Sequence, residues 1–423
     1  MTTNEGWSLA RRIGFRFGFL VAALEVFPFP IGNILGTGWL SELLHKPRTW
    51  ALNGFADLAF GLPAMPTTPN GSGDTTYGYV WQLLVMIIAA IGTIAWSAAD
   101  RRRASYPWLA ALLRIELRYV VASAMLTYGY LKIIKSQFPD LPPTWLYQRM
   151  GDNSPMRMLW AFMGYSLPYT VFAGLAEALG GVLLLWRRTA TLGAMVVCAV
   201  MTNVVMLNFC YDVPVKLYSM QLLIMAFAVA LPGLRRVIAA ALGHATTAVP
   251  SRVRLSRRRE IARVVIKVAI VGSFAYNVFQ LTPKPSRNDH VHELYGVWTV
   301  DSFAIDGAEL PPLTSDPVRW QAWTANPRGS FVWLMNGLKE APATLELPGY
   351  ATKVDSTAHT IAVTVDDKNK VIETWTYARP APDRLVIDAS HLGKKLHVTL
   401  HLEPDPPLVT RGYHWVNEVP FNR

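Results

Sequence analysis

Tyr165-Ser-Leu-Pro-Tyr-Thr-Val-Phe-Ala-Gly-Leu-Ala-Glu177-Ala-Leu-Gly-Gly-Val-Leu-Leu-Leu-Trp186 is an apolar run with one carboxylate near its centre. A stretch of about 20 such residues crosses a hydrocarbon core as a helix, which closes its own backbone hydrogen bonds. Gly174, Glu177 and Gly181 fall at i, i+3 and i+7, one face of that helix. Small residues there admit a neighbouring helix, while a carboxylate at that depth has to be paired or protonated. Six further stretches read the same way: Phe15–Phe27 with a Pro-rich extension through Phe29–Leu35, Tyr79–Ala99, Trp108–Ile134, Ala190–Phe209, Leu217–Leu234 and Val264–Leu281. The expected fold is therefore a membrane all-α bundle of about seven transmembrane helices.

Composition agrees. Of 423 residues, 52% are hydrophobic and 16% charged. The net charge of +11 does not point to nucleic acid, because its distribution is that of a membrane protein. Arginines collect in alternate loops: Arg11, Arg12 and Arg16; Arg101, Arg102 and Arg103; Arg187 and Arg188; Arg235 and Arg236 with the segment 252–263. That is the positive-inside pattern. With seven crossings it places the N-terminus in the cytoplasm and the C-terminus outside an inner (plasma) membrane. Cys198 and Cys210 are twelve positions apart, too far along one helix for a disulfide. No CxxC, CxxCH or Cys-rich pattern suggests haem, an Fe–S cluster or a metal.

Residues 1–107 read as a transmembrane hairpin with a long outer loop, Gly36–Gly78, and 108–236 as a four-helix membrane unit. The stretch 237–263 reads as a basic cytoplasmic linker, with Gly243–Arg259 at an anionic membrane surface. A seventh helix, 264–282, leads to an outer domain, 290–423. The outer loop Ser136–Gly164 is long and aromatic enough to fold over helix ends. In the outer domain, Leu294–Val300, Phe331–Leu334, His359–Val365, Val371–Tyr377, Arg384–Ile387 and Leu396–Leu402 are short alternating or β-branched runs separated by turn residues. They predict an extracytoplasmic antiparallel β-barrel or sandwich, closed or nearly closed. The aromatic end, Thr410–Arg423, is expected to pack against the barrel or the membrane.

The third span carries Arg114, Glu116, Arg118, Tyr128, Tyr130 and Lys132. Arg118, Met125 and Lys132 are seven apart and share a face. Arg118 lies deepest of the basic residues and is expected to pair with Glu177. At the outer end, Asn208 and Asp212 share a face if their helix persists, before Pro214 breaks it. Lys132, Asn208, Asp212 and Lys216 then line one outward-facing pocket, with Tyr128 beside it. The bland reading of the same residues is a register-fixing ion pair and polar helix ends. Glu25 is another buried-acid candidate. His290 and His292 share a strand face but lack further ligands, and His397 and His401 stand too far apart on a strand for one ion.

Two motifs carry a resemblance. Arg118-Tyr-Val-Val-Ala-Ser-Ala-Met-Leu-Thr-Tyr-Gly129-Tyr-Leu-Lys132 resembles an early arginine followed by a glycine and lysine near the helix end in the DoxX family. Phe172-Ala-Gly-Leu-Ala-Glu177-Ala-Leu-Gly180-Gly181 is similar to that family's glutamate and following glycines. The likeness covers 108–236 and rests on Arg118, Gly129, Lys132, Glu177, Gly180 and Gly181. It implies a DoxX-like core with a loose tie to membrane redox, some members resembling subunits of thiosulfate:quinone oxidoreductases. The opening Gly296-Val-Trp298 resembles the first strand of lipocalin-like domains. The resemblance implies a redox-associated membrane protein, quinone-linked or accessory to a membrane or periplasmic oxidoreductase. Glu177 and Arg118 would be its catalytic pair, and Lys132, Asn208, Asp212, Lys216 and Tyr128 its ligand-binding residues. The alternative is a non-catalytic envelope protein whose β-domain serves assembly, binds a partner or binds an amphiphile.

Overall fold

The computed structural model describes residues 6–29, 32, 36–64, 71–245, 256–282, 292–326, 330–335, 351–365, 370–391 and 393–418. Parts of the Phe29–Leu35 extension, the basic linker, the tether after the seventh span, His290 and the last five residues lie outside them. The chain forms two compact units, Met1–Phe138 with Ser166–Pro283, and Pro139–Tyr165 with Lys284–Arg423.

The first unit is helical. Its long helices are α1 (Leu9–Val26), α2 (Trp39–Phe60), α3 (Thr76–Ala99) and α4 (Pro107–Ile133). The second unit contributes the short α5 (Pro143–Tyr147), a 3-10 turn at Met150–Asp152 and α6 (Pro155–Tyr165). The first unit resumes with α7 (Leu167–Leu184), α8 (Ala190–Cys210), α9 (Lys216–Ala241) and α10 (Arg257–Gln280). Four of these, α3, α7, α8 and α9, are long and apolar enough to cross a membrane. The other spans expected from sequence exist as helices but carry more charge. For α4 the charges are Arg114, Glu116, Arg118 and Lys132. Apolar side chains such as Ile94, 71% exposed, and Phe172, 67% exposed, cover the outer faces of α3 and α7. That is the reverse of a soluble bundle, whose outer face is polar.

Side-chain caps set several starts. Ser8 accepts from the Arg11 amide, Thr75 from Gly78 and Ser166 from Tyr169, satisfying donors a helix start leaves free. The core of α4, α7, α8 and α9 gathers Val121, Met125, Leu184, Val197, Met201, Leu222 and Val229. Glycines set its spacing. A Cβ on Gly174 would stand 2.7 Å from the Gly129 carbonyl oxygen, and one on Gly181 3.1 Å from that of Ala122. So α4 and α7 run antiparallel with their backbones nearly touching, as the small-residue face of α7 predicts.

Three sequence expectations fail in this unit. Arg16, counted with the inner-loop arginines, is 2% exposed. It donates to the Tyr106 hydroxyl, Ser97 Oγ at 2.7 Å and the Asp100 carbonyl at 2.8 Å, tying α1 to the end of α3. The expected outer loop Gly36–Gly78 contains α2, a 22-residue helix that continues through Pro47. Leu52 and Ala56 bury its inner side against Val80 and Leu84. Trp39, Leu43 and Trp50 form an exposed stripe on the other side. The basic linker is also shorter than expected, because α9 runs to Ala241 and α10 begins at Arg257.

The second unit holds β1 (Gly296–Ile305), β2 (Ala308–Glu309), β3 (Trp320–Ala325), β4 (Phe331–Leu334), β5 (Ala351–Asp355), β6 (Thr360–Val365), β7 (Lys370–Ala381), β8 (Arg384–His391), β9 (Lys394–Leu402) and a turn of helix, α11 (Pro407–Thr410). The sheet is antiparallel in the order β4-β3-β1-β9-β8-β7-β6-β5, with β2 on β1. First and last strands pair, as in a closing up-and-down sheet. The ladder path ends at β4 and β5, so the sheet is a curled half-barrel rather than a closed barrel. Side chains bridge its seam: Ser330 Oγ and Thr352 Oγ1 share a buried hydrogen bond of 2.8 Å.

Alternation fills the concave side. Leu396, Val398 and Leu400 of β9 point in, as do Leu385 and Ile387 of β8. A bulge between Val300 and Ser302 restores Phe303 of β1 to the same side. Trp298, Trp320, Trp323 and Trp375 occupy the centre, with Trp320 and Trp375 rings 5.5 Å apart. The segment Pro139–Tyr165 belongs to this unit: α5 packs on β1 and β3, and Tyr147 meets the Trp333 ring at 5.2 Å. The sheet core is filled by its own tryptophans, and the described part of the aromatic tail, through Glu418, stays off it. Tyr413 and Trp415 pack on each other and stay 77% and 89% exposed.

Candidate functional site

Glu177 is buried, and its partner is Lys132, not Arg118. The Lys132 Nζ donates to Oε1 at 2.9 Å and to Oε2 at 2.8 Å. Helix geometry explains the choice. Gly129 faces Gly174, and helices rise about 1.5 Å per residue. Lys132 therefore lies one turn above that crossing and Glu177 one turn below it on the antiparallel neighbour. Side chains lean toward their own helix N-terminus, so these two lean toward each other. Arg118, eleven positions before Gly129, sits about 12 Å farther along the axis than Glu177 and leans away. It stacks over the Tyr119 ring at 5.0 Å, and its buried Nε has no hydrogen-bond partner among the described residues.

Aromatic groups line the pair. The Lys132 Nζ lies 5.9 Å from the Tyr128 ring centre and 5.8 Å from that of Phe138. Tyr128 in turn faces Tyr218 of α9 at 6.4 Å, and Tyr218 is 39% exposed. A polar-aromatic path thus runs from a buried carboxylate, through an ammonium and a phenol, to the rim of the bundle. Its groups can hold a proton at Glu177 or Lys132 and offer hydrogen-bond donors to a ring oxygen.

The expected four-residue pocket divides in two. Asn208 is buried, and its Nδ2 lacks a partner among the described residues. Asp212 leaves that face because α8 stops at Cys210 and Asp212 turns left-handed, with φ of 51°. Its exposed carboxylate pairs with Lys216 at 2.8 Å. Lys216 also faces Asp74 at 3.7 Å, a residue the sequence reading passed over. Asp74 accepts from the backbone amides of Lys216 and Leu217 at 2.8 and 2.9 Å, capping α9 from a distant loop. Lys132 thus belongs with Glu177, while Lys216 belongs with Asp212 and Asp74. A neighbouring Gly-Ser-Gly turn was the sole local hint of the Asp74 cap.

Glu25 keeps one buried oxygen without a hydrogen bond, in a group with Arg48 and Trp81. The Arg48 guanidinium lies 3.8 Å from the Trp81 ring centre. Nothing in sequence joined these residues, because α2 was read as loop. In the sheet, His397 and His401 each pair with a separate carboxylate, Asp388 and Asp301, both at 2.7 Å.

Fold and site together define a helical bundle with a buried lysine–glutamate pair, joined in one chain to a curled antiparallel sheet. The chain belongs to the family of the Bacillus subtilis (strain 168) protein described as uncharacterized protein YwoB. It is 34% identical to that protein over 108 residues, 26% of this chain and 68% of the relative. No family model matches the chain, and no solved structure matches it.

Proposed function

We propose that this protein is a multi-pass inner-membrane protein of DoxX-like kind that binds a quinone-type ring beside Lys132 and Glu177. It acts as an accessory to a membrane oxidoreductase, which supplies the electrons. The observation that carries this reading is the buried Lys132–Glu177 pair. Buried ionisable groups in apolar helices are costly and mark proton or ligand paths. Lys132 donates to a ring oxygen, Glu177 holds the lysine's charge, and Tyr128 and Tyr218 form the ring-stacking entrance. Arg118 has no part in this pair.

In this reading α1, α4 and α10 also cross the bilayer, with the arginine-rich loops in the cytoplasm and the lipocalin-like β-domain outside. Cysteine labelling tests that topology in a Cys198→Ser, Cys210→Ser background. An external reagent should reach Gly393→Cys and miss Arg102→Cys. The functional test is mass spectrometry of lipids co-purified in mild detergent. Wild type should carry a quinone, and Glu177→Gln or Lys132→Met should lose it while still purifying as folded protein. Wild type free of quinone, with no quinone uptake on titration, overturns the reading.

A second reading is non-catalytic partner binding through the β-domain. The observation favouring it is the sheet interior, filled by Trp298, Trp320, Trp323 and Trp375. A filled interior leaves recognition to the outer surface rather than to an enclosed amphiphile. Crosslinking from that surface to one envelope protein, unchanged in Glu177→Gln, would select this reading.

A further inference from the structure

Opposite the Lys132 end, the bundle gathers guanidinium groups from three places in the chain. Arg114 and Arg118 come from α4, Arg187 from the turn between α7 and α8, and Arg236 from α9. Arg118 follows Arg114 by one turn of α4, and the contacts of Arg114 with Thr191, four positions after Arg187, and with Val229, seven before Arg236, bring the other two to the same end of the bundle. None of the four pairs with a carboxylate among the described residues. Arg114 is fixed in place, its Nε donating to the Val229 carbonyl at 3.1 Å and an Nη to Thr191 Oγ1 at 3.4 Å. Gly233 explains why it can reach them. A Cβ there would lie 2.3 Å from Thr191 Oγ1, so α8 and α9 meet in contact at this point. The Nε of Arg118 is buried and has no acceptor among the described residues. Beside Arg187, Lys267 of α10 donates to the Leu185 carbonyl at 2.8 Å and lies over the exposed Trp186 ring.

Four like charges with no acid paired to them among the described residues call for a counter-anion, and a buried Arg donor calls for an acceptor oxygen. Guanidinium forks match phosphate oxygens in pairs. An exposed tryptophan at the end of an apolar helix marks the headgroup level of a bilayer. We infer that Arg114, Arg118, Arg187 and Arg236 form a binding site for the phosphate of an anionic phospholipid in the leaflet at that end of the bundle. The acyl chains of that lipid would run along the apolar outer faces of the helices. Independent of any chemistry at Lys132, this site gives Arg118 its acceptor.

The test uses the full-length protein in mild detergent, with phosphatidylglycerol, phosphatidylcholine and inorganic phosphate as probes. Native mass spectrometry should retain phosphatidylglycerol in preference to phosphatidylcholine, and the same lipid should raise the melting temperature. Each of Arg118→Gln and Arg236→Gln should weaken phosphatidylglycerol retention about tenfold, the loss expected for one charge-assisted contact. Arg187→Gln, at an exposed turn, gives a folded variant should the first two fail to fold, and it should weaken retention as well. Equal retention of both lipids overturns the proposal. So does undiminished phosphatidylglycerol retention in the folded variants. Stabilisation by inorganic phosphate alone, with no lipid preference, replaces the lipid by a free anion and also overturns it.

Discussion

At the scale of single residues, the buried ion pair decides most. Removing one partner leaves a stranded charge, which costs about 3–5 kcal/mol, whereas replacing both is often neutral. Glu177→Gln and Lys132→Met should each lower the melting temperature in detergent, and Lys132→Met with Glu177→Leu should recover most of the loss. Equal destabilisation by the double variant would refute the coupling. Glu177 was legible from its mid-span position, but its partner was not. Spacing along one helix does not give the register between two, and the Gly129–Gly174 crossing sets that register. In the sheet, Glu293 accepts from the Tyr377 hydroxyl, a bond that holds its carboxyl below the usual range. Burial first, then this bond, raises the Tyr377 phenol from 10.0 to about 12. A depressed acid stabilises the fold above its unfolded value and loses that contribution as pH falls through its folded value. A raised phenol contributes fully below pH 10.0 and loses it as pH climbs toward about 12. The β-domain should therefore soften at both extremes, and Tyr377→Phe should blunt both losses. Tryptophan fluorescence melts across pH check this; identical pH profiles for the variant and wild type would rule it out.

At the scale of elements, caps and crossings matter more than apolar length. The α9 helix starts where Asp74 receives two amide donors, far away in sequence. Asp74→Ala should cost about 1 kcal/mol, the usual worth of a cap. Hydrogen exchange should quicken in the first turn of α9 and nowhere else in the bundle. Uniform quickening would mean the carboxylate does something broader. The apolar helices α3, α7, α8 and α9 were readable because hydropathy alone signals them. The α2 helix was not, since Pro47 and scattered polar residues imitate a loop. Its inner contacts, Leu52 and Ala56 on Val80 and Leu84, are what stabilise it. Six strands, β1, β4, β6, β7, β8 and β9, were readable from alternation, whereas β2, β3 and β5 were not. The turn at Asp212 escaped because a left-handed aspartate ends α8 just where pattern reading would continue it.

At the scale of the whole molecule, the two units do not divide the chain at one point. Pro139–Tyr165 is threaded between α4 and α7 in sequence yet belongs to the sheet unit. Deleting it, with a short linker joining Phe138 to Ser166, should strip α5 from β1 and β3 and uncover Trp333. The sheet should then melt earlier and bind a hydrophobic dye, even though every strand is retained. An unchanged sheet transition would show the segment to be an ornament. That membership was invisible in sequence, because a Pro-rich connection between two apolar runs looks the same whether it packs locally or far away. It has a consequence for the order of assembly. The ribosome delivers α5 about 150 positions before the first strand that covers it, so ring closure across that span carries a large loop entropy. Tyr147 must wait, uncovered, until Trp333 has been made, and the interval is one in which a chaperone or a neighbouring chain can seize the segment. Grafting the β-domain onto another protein by its C-terminal residues alone would leave behind the piece it waits for.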